Sequence, residues 1–306
     1  MSREQAEAIA RTLRDSPLDT GGEAVAQRAL FAQLMASRPR PADLVVDDIR
    51  LGDTPAVRIS TGPAEPGLAV LYFHGGGYAI GTAAETVGLP GQISARNGVT
   101  VLSVDYRLAP ENPFPAALTD GLDAYRAALG AYAPSRLAVA GESAGGGLAL
   151  ATLLAAGREG LAMPAAAFVM SPWTDLTLSG ASVDTKADVD PVLYRAALDL
   201  RAREYAGDRP RTDPLVSPVF GDFHGFPPLL VQAGSHECLL DDAVRLAGRA
   251  AADDVAVTLD VTPGVHHVFQ AVATLLDEAD AALRRASEFL FRHLAGAAAP
   301  AQTLIG

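Results

Sequence analysis

The sequence predicts a doubly wound α/β fold, and three observations predict it. Six short apolar runs rich in β-branched residues recur at 69–73, 99–104, 137–140, 166–170, 229–233 and 257–261. Stretches of helical character separate them. Each run is nearly continuous rather than alternating, the pattern of strands buried on both faces of a parallel sheet. Two more polar runs, 44–51 and 56–60, precede them across a short turn at Gly52 and Asp53. They read as an antiparallel edge pair and bring the sheet to eight strands, mostly parallel and flanked by helices.

Two segments do not fit the alternation. In 1–37, apolar residues recur at helical spacing at Ile9 and Leu13, then at Leu30, Phe31 and Leu34. In 185–228, between the fourth and fifth parallel strands, one helix-like stretch at 192–205 precedes a Pro-rich loop. Long insertions in such sheets sit over the strand ends where ligands bind, so both segments are expected to form a helical cap. The plainer alternative for 1–37 is packing along the sheet edge. The chain then divides into N-terminal cap helices at 1–37, a core at 38–184 and 229–306, and a cap insertion at 185–228. The Ala-rich stretch 295–306 reads as a frayed tail.

Composition narrows the function classes. Of 306 residues, 49% are hydrophobic and 20% charged, which excludes a mainly disordered chain. Lys and Arg number 24 against 36 Asp and Glu, a net charge of −12. That gives no electrostatic footprint for nucleic acid or an anionic membrane. Cys238 is the only cysteine, so neither an intramolecular disulfide nor a Cys-based zinc site can form. No apolar run approaches the roughly 20 residues that span a bilayer. The first 15 residues lack the apolar core of a secretory signal, and the expected location is the cytoplasm.

The run at 137–140 leads directly into Gly141-Glu142-Ser143-Ala144-Gly145, followed by a small-residue helical stretch. This is G-x-S-x-G between strand and helix, where a sharp turn strains the serine backbone and exposes its hydroxyl. Gly141 and Gly145 remove side chains that would collide across the turn. The helix beginning there aims N–H groups and its positive dipole end at the reacting centre. Elsewhere in a chain the same letters could be no more than a glycine-rich turn with a capping serine.

The run at 69–73 ends in His74-Gly75-Gly76-Gly77. Consecutive glycines let backbone N–H groups point into a pocket, as the oxyanion of ester hydrolysis requires. Such a loop accompanies the serine turn in lipases and esterases, with the N–H of the residue after the serine, here Ala144, completing the hole. No Walker-type lysine supports a phosphate loop instead. His74 reads as a structural histidine.

The base belongs in the loop after the last strand, where His266 and His267 are adjacent; pattern alone does not choose between them. The acid belongs after the preceding strand, in Gly234-Ser235-His236-Glu237-Cys238-Leu239-Leu240-Asp241-Asp242, where Glu237 and Asp241 are candidates. A carboxylate there fixes the imidazole tautomer and stabilises the imidazolium. Asp241 and Asp242 equally suit a helix N-terminus.

These residues resemble the hormone-sensitive-lipase family of α/β-hydrolases, the bacterial family IV esterases. The resemblance rests on H-G-G-G-Y from His74, Y-R-L-A-P-E-N-P-F-P-A from Tyr106 and G-E-S-A-G-G-G from Gly141. It continues in S-P-W-T-D-L from Ser171, D-P-L-V-S-P from Asp213, G-S-H-E-C-L-L-D-D from Gly234 and H-V-F from His267. The later segments look closest to the branch of monoterpene ε-lactone hydrolases and small-ester carboxylesterases.

The resemblance implies the α/β-hydrolase fold with a helical cap. It also implies a catalytic set of Ser143, His267 and Glu237, the last standing where the family has Asp. Gly76, Gly77 and Ala144 are the implied oxyanion donors. Glu142 replaces the commoner Asp of the serine motif, and the arginine and glutamate of the Tyr106 motif are implied to brace loops. The implied activity is carboxylic-ester hydrolysis on short-to-medium acyl esters through an acyl-enzyme, with no metal and no organic cofactor. A lactone hydrolase would use the same site, and a non-catalytic small-molecule receptor on this fold would lack the histidine that His267 supplies. The expected partner is a small ester or lactone, not nucleic acid or membrane, and an edge-to-edge homodimer through the last strand is compatible with the resemblance. Tyr78, Tyr194, Leu198 and Phe269 are the candidate substrate-binding side chains.

Overall fold

The structure, a computed structural model, describes residues 2–62 and 67–295. From 296 onward the expected tail lies outside the described residues. Two helices, α1 (Ser2–Arg14) and α2 (Ala24–Ala36), precede the sheet. Strands β1 (Leu44–Leu51), β2 (Thr54–Thr61) and β3 (Ala69–Phe73) follow, then α3 (Gly88–Asn97) and β4 (Thr100–Val104). Next come α4 (Ala116–Ala131), β5 (Leu137–Glu142), α5 (Ala144–Arg158) and β6 (Ala166–Met170). The short α6 (Ser182–Thr185) ends where the insertion begins, and the insertion carries α7 (Arg195–Ala206). The chain closes with β7 (Leu229–Gly234), α8 (Leu240–Ala252), β8 (Val257–Thr262) and α9 (Asp277–Ala295).

The eight strands form one sheet in the order β1-β2-β4-β3-β5-β6-β7-β8. β2 pairs antiparallel with both β1 and β4, and every later pairing is parallel. The period-two alternation of strands splits the core into two layers. Leu71, Phe73, Val139, Val169 and Val231 join one cluster with residues of α4, α5 and α8. Val70, Tyr72, Ala138, Phe168 and Leu230 join the other with residues of α3 and α9. Because both faces are covered, β3, β5, β6 and β7 are buried along their whole length.

β8 departs from the expectation of a strand buried on both faces. It occupies the free edge, paired only with β7, and Leu259 and Val261 are each 38% exposed. Its composition resembles the inner strands, but burial is set by what lies alongside, and among the described residues no strand pairs with its outer side.

Helix α5 enters the sheet's middle so tightly that its first turn must be small. A Cβ on Gly145 would lie 2.1 Å from the Phe73 carbonyl oxygen and 2.3 Å from that of His74. This close approach sets the start of α5 directly beside the end of β3, so the serine turn and the glycine loop share one corner. The N-terminal helices touch both layers. Ala6 and Ile9 of α1 pack against the α3/α9 side. Arg28 of α2 makes a bidentate pair with Glu111 and donates to the carbonyls of Ala79 and Ala109. The Glu111 of the Tyr106 motif thus braces α2, while Arg107 is held by Asp120.

Candidate active site

Ser143 sits where β5 turns into α5, with φ 55° and ψ −125°. Positive φ is costly for a side-chain-bearing residue. It is held by Ser143 N–H donating to the Met170 carbonyl at 2.9 Å and by the Trp173 N–H donating to the Ser143 carbonyl at 2.9 Å. The turn aims Oγ at the loop after β8, where His267 Nε2 lies 2.9 Å away.

The two adjacent histidines separate cleanly. His266 is buried, neither ring nitrogen has a partner among the described residues, and desolvation, with Arg38 and His267 adding repulsion, holds its pKa down to about 3. It is a neutral neighbour. His267 alone reaches Ser143. Burial opposes its protonation, but the Glu237 carboxylate outweighs this and raises its pKa above the ordinary imidazole value.

Glu237 is fully buried, with Oε2 3.7 Å from His267 Nδ1. That is longer than a hydrogen bond, so in this geometry the pairing is electrostatic. The same oxygen accepts from Ser171 Oγ at 2.7 Å and from Gly234 N–H at 3.3 Å. Asp241, the other acidic candidate, lies in the first turn of α8 and accepts from the Ser182 N–H at 2.9 Å. It braces α6 and has no contact with His267. Cys238, next to Glu237, is held by Asp190 of the insertion through its backbone N–H at 2.8 Å, and burial pushes its thiol pKa far up. It is an inert packing residue.

On the opposite side of Ser143, the glycine loop turns back on itself. Gly76 has φ 121°, and a Cβ there would lie 2.0 Å from the Ile80 carbonyl oxygen, so only glycine fits. Among the described residues no hydrogen bond engages the N–H of Gly76, Gly77 or Ala144. Glu142 anchors the loop: its carboxylate accepts from Gly75 N–H at 2.8 Å and from the Tyr72 hydroxyl. Burial raises the Glu142 pKa to about 7 against these hydrogen bonds. His74 is buried and stacked on Tyr106 with ring centroids 4.4 Å apart, and burial lowers its pKa. It holds the loop and stays neutral.

Ser143, His267 and the glycine loop open onto a cavity of about 170 Å³. Its outer wall comes from both segments that broke the sequence alternation: Leu13, Phe31 and Leu34 from the N-terminal stretch, Val192, Leu193 and Leu198 from the insertion. Leu198 is the one substrate-binding candidate of the four that lines it. Tyr78 is turned away, stacked on Tyr205 with centroids 3.7 Å apart and tilted against Trp173. Phe269 is wholly buried in the α3/α9 cluster, because the left-handed turn at Val268 (φ 50°) sends it inward and leaves Val268 and Ala271 on the wall. Tyr194 is 40% exposed and donates to Asp19, beside a separate surface depression. Sequence reasoning missed Arg38, Glu85 and Thr86 on the wall. No motif marks them; they line the cavity beside Leu13, Phe31 and Leu34 of the N-terminal stretch.

Residues 70–271 match a protein family described by its alpha/beta hydrolase fold. An acetyl-hydrolase of Streptomyces hygroscopicus is 42% identical over 74% of this chain and 76% of its own length. An ethyl acetate hydrolase of Pseudomonas putida is 37% identical over 85% and 86%. Among solved structures, an esterase from the bacterial hormone-sensitive lipase family superposes with a TM-score of 0.91 at 37% identity, covering 95% of this chain and 98% of that one. Among the described residues no helix is long and apolar enough to cross a membrane.

Proposed function

The chain belongs to the hormone-sensitive-lipase family of α/β-hydrolase esterases, and from that premise we propose that it hydrolyses short-to-medium acyl esters through an acyl-enzyme on Ser143. Ser143 Oγ attacks the ester carbonyl carbon while His267 Nε2 takes its proton. The oxyanion is met by the N–H groups of Gly76, Gly77 and Ala144, and Glu237 stabilises the imidazolium. The tetrahedral adduct collapses, His267 returns the proton to the leaving oxygen, and the alcohol departs. Water then attacks the acyl-serine with His267 again as base, releasing the acid and restoring Ser143.

The observation that carries this reading is the 2.9 Å approach of His267 Nε2 to Ser143 Oγ beside three uncommitted amides. In this reading 1–37 and 185–228 act as the cap, since both supply the cavity's apolar outer wall. The modest cavity volume favours short acyl chains over long ones. The test is hydrolysis of p-nitrophenyl acetate and butyrate by Ser143→Ala. We expect a loss of roughly 10⁴-fold or more with the fold retained; near-normal turnover contradicts the reading.

A further inference from the structure

Four charged side chains contribute to the cavity wall: Arg38, Glu85, Glu142 and Arg201. Two are fully engaged. Arg201 donates to the Thr20 carbonyl at 3.0 Å, to Glu204 and to the Gly22 carbonyl. Glu142 is held by Tyr72 and Gly75. Glu85 is partly exposed and forms no ion pair among the described residues. The Arg38 guanidinium has neither a hydrogen bond nor an ion pair among the described residues. Partial desolvation lowers its pKa and the charge of Glu142 opposes this. Arg38 is half-buried and its guanidinium nitrogens stay accessible from the cavity, so the arginine remains charged and can pair with an anion that enters.

A second feature of the same wall also lacks an acceptor. Thr86, Gly88 and Leu89, at the amino end of α3, line the cavity. The residue before this helix, Val87, makes no side-chain cap, and the first turn carries no acid. Residue 90 is Pro, so Gly88 and Leu89 supply the first free N–H donors there. They stand at the positive end of the helix dipole. The chain after Arg38 runs against this end: the Pro39 carbonyl oxygen would lie 3.7 Å from a Cβ on Gly88. An uncommitted guanidinium and an uncapped helix terminus therefore face the space that Ser143 and His267 face.

We propose that this cavity selects esters bearing a free carboxylate, which Arg38 holds beside the amino end of α3 while Ser143 reacts with the ester carbonyl. The inference rests on the esterase reading above. The carboxylate could belong to the acyl or the alcohol half of the ester; the recognition chemistry is the same. Glu85, on the same wall, opposes a bound anion, which gives the proposal a second handle.

The experiment compares kcat/KM for matched pairs. On the acyl side, the p-nitrophenyl hemiesters of succinate, glutarate and adipate are set against p-nitrophenyl butyrate, valerate and hexanoate. On the alcohol side, acetyl esters of short hydroxy acids are set against acetyl esters of the matching alkanols. Wild type is expected to favour the carboxylate member of at least one pair. That preference should fall about tenfold to a hundredfold in Arg38→Met, survive in part in Arg38→Lys, and grow in Glu85→Gln. Should Arg38→Met not fold, wild type alone decides: glutarate should inhibit neutral-ester hydrolysis competitively, its Ki rising with salt, whereas glutaramide should not. No carboxylate preference in any pair, a preference untouched by Arg38→Met, or equal inhibition by glutarate and glutaramide overturns the inference. Loss of neutral-ester hydrolysis in Ser143→Ala separates this failure from failure of the esterase reading, which would instead leave that variant active.

Discussion

The Ser171 hydroxyl stands between the Glu237 and His267 loops: its Oγ donates to Glu237 Oε2 at 2.7 Å. Ser171 Oγ in turn accepts from the Val268 N–H at 3.0 Å, one residue past His267. Ser171, at the end of β6 with φ 46°, thus couples the Glu237 loop to the His267 loop where the carboxylate itself stands 3.7 Å from the imidazole. Ser171→Ala should lower kcat more than it raises KM, by about tenfold. It should also cost about 1–3 kcal/mol of stability, because a buried charge-assisted hydrogen bond is lost. Denaturant unfolding alongside steady-state kinetics checks both. Unchanged kcat would show that the coupling is idle.

Glu237 raises the pKa of His267, so the sign of its effect on the pH profile is fixed. In the proposed mechanism activity requires neutral His267 and falls as pH drops through its pKa. Glu237→Gln removes the charge that favours the imidazolium. The acid limb should therefore move to lower pH while maximal kcat falls roughly a hundredfold or more. A limb that stays in place, measured from pH 5 to 8 on p-nitrophenyl butyrate, would exclude Glu237 as the partner.

Glu142 makes a different prediction. Its folded pKa of about 7 lies above the ordinary carboxylate value because burial disfavours the charge. The protonated group's contribution is fully present below the unfolded pKa, and stability is lost as pH rises through about 7. The amplitude is on the order of 3 kcal/mol for a shift of this size. Glu142→Gln keeps the shape but cannot ionise, so its unfolding free energy between pH 5 and 8 should decline less than that of wild type. Equal declines would show that Glu142 does not carry the dependence.

Much of this was legible in the sequence, for identifiable reasons. The inner strands were visible because β3, β5, β6 and β7 are covered on both faces and so read as continuous apolar runs. The serine turn and the glycine loop were visible because close backbone approach forces small residues at Gly145 and Gly76. β8 misled because an edge strand can share the composition of an inner one. His267 and Glu237 could be separated from His266 and Asp241 only by resemblance, since neighbouring residues in one loop carry the same local signal. The cavity wall was least legible. Phe269 and Tyr78 were reasonable candidates by chemistry, but the backbone at Val268 and the stacking on Tyr205 turn them into the core. The residues that do line the wall come from segments whose placement depends on long-range contacts such as Arg28 with Glu111.

That contact offers its own test. Arg28 joins α2 to the loop at Glu111 through two hydrogen bonds of 2.8 and 2.7 Å. Glu111→Ala should loosen α2, whose Phe31 and Leu34 line the cavity, and raise KM several-fold with little change in the stability of the core. Exposed pairs of this kind are worth only about 1 kcal/mol or less. Hydrogen exchange at 24–36 reads the loosening directly, and unaltered exchange would place the anchoring of α2 elsewhere.

In the proposed mechanism one serine carries the acyl group. Peptide mass mapping after treatment with a phosphonylating reagent that mimics the tetrahedral adduct tests it most directly. A single covalent adduct on Ser143 is expected, formed in step with the loss of esterase activity and abolished in Ser143→Ala. Full activity with Ser143 modified, or inactivation through an adduct on another residue, would contradict it.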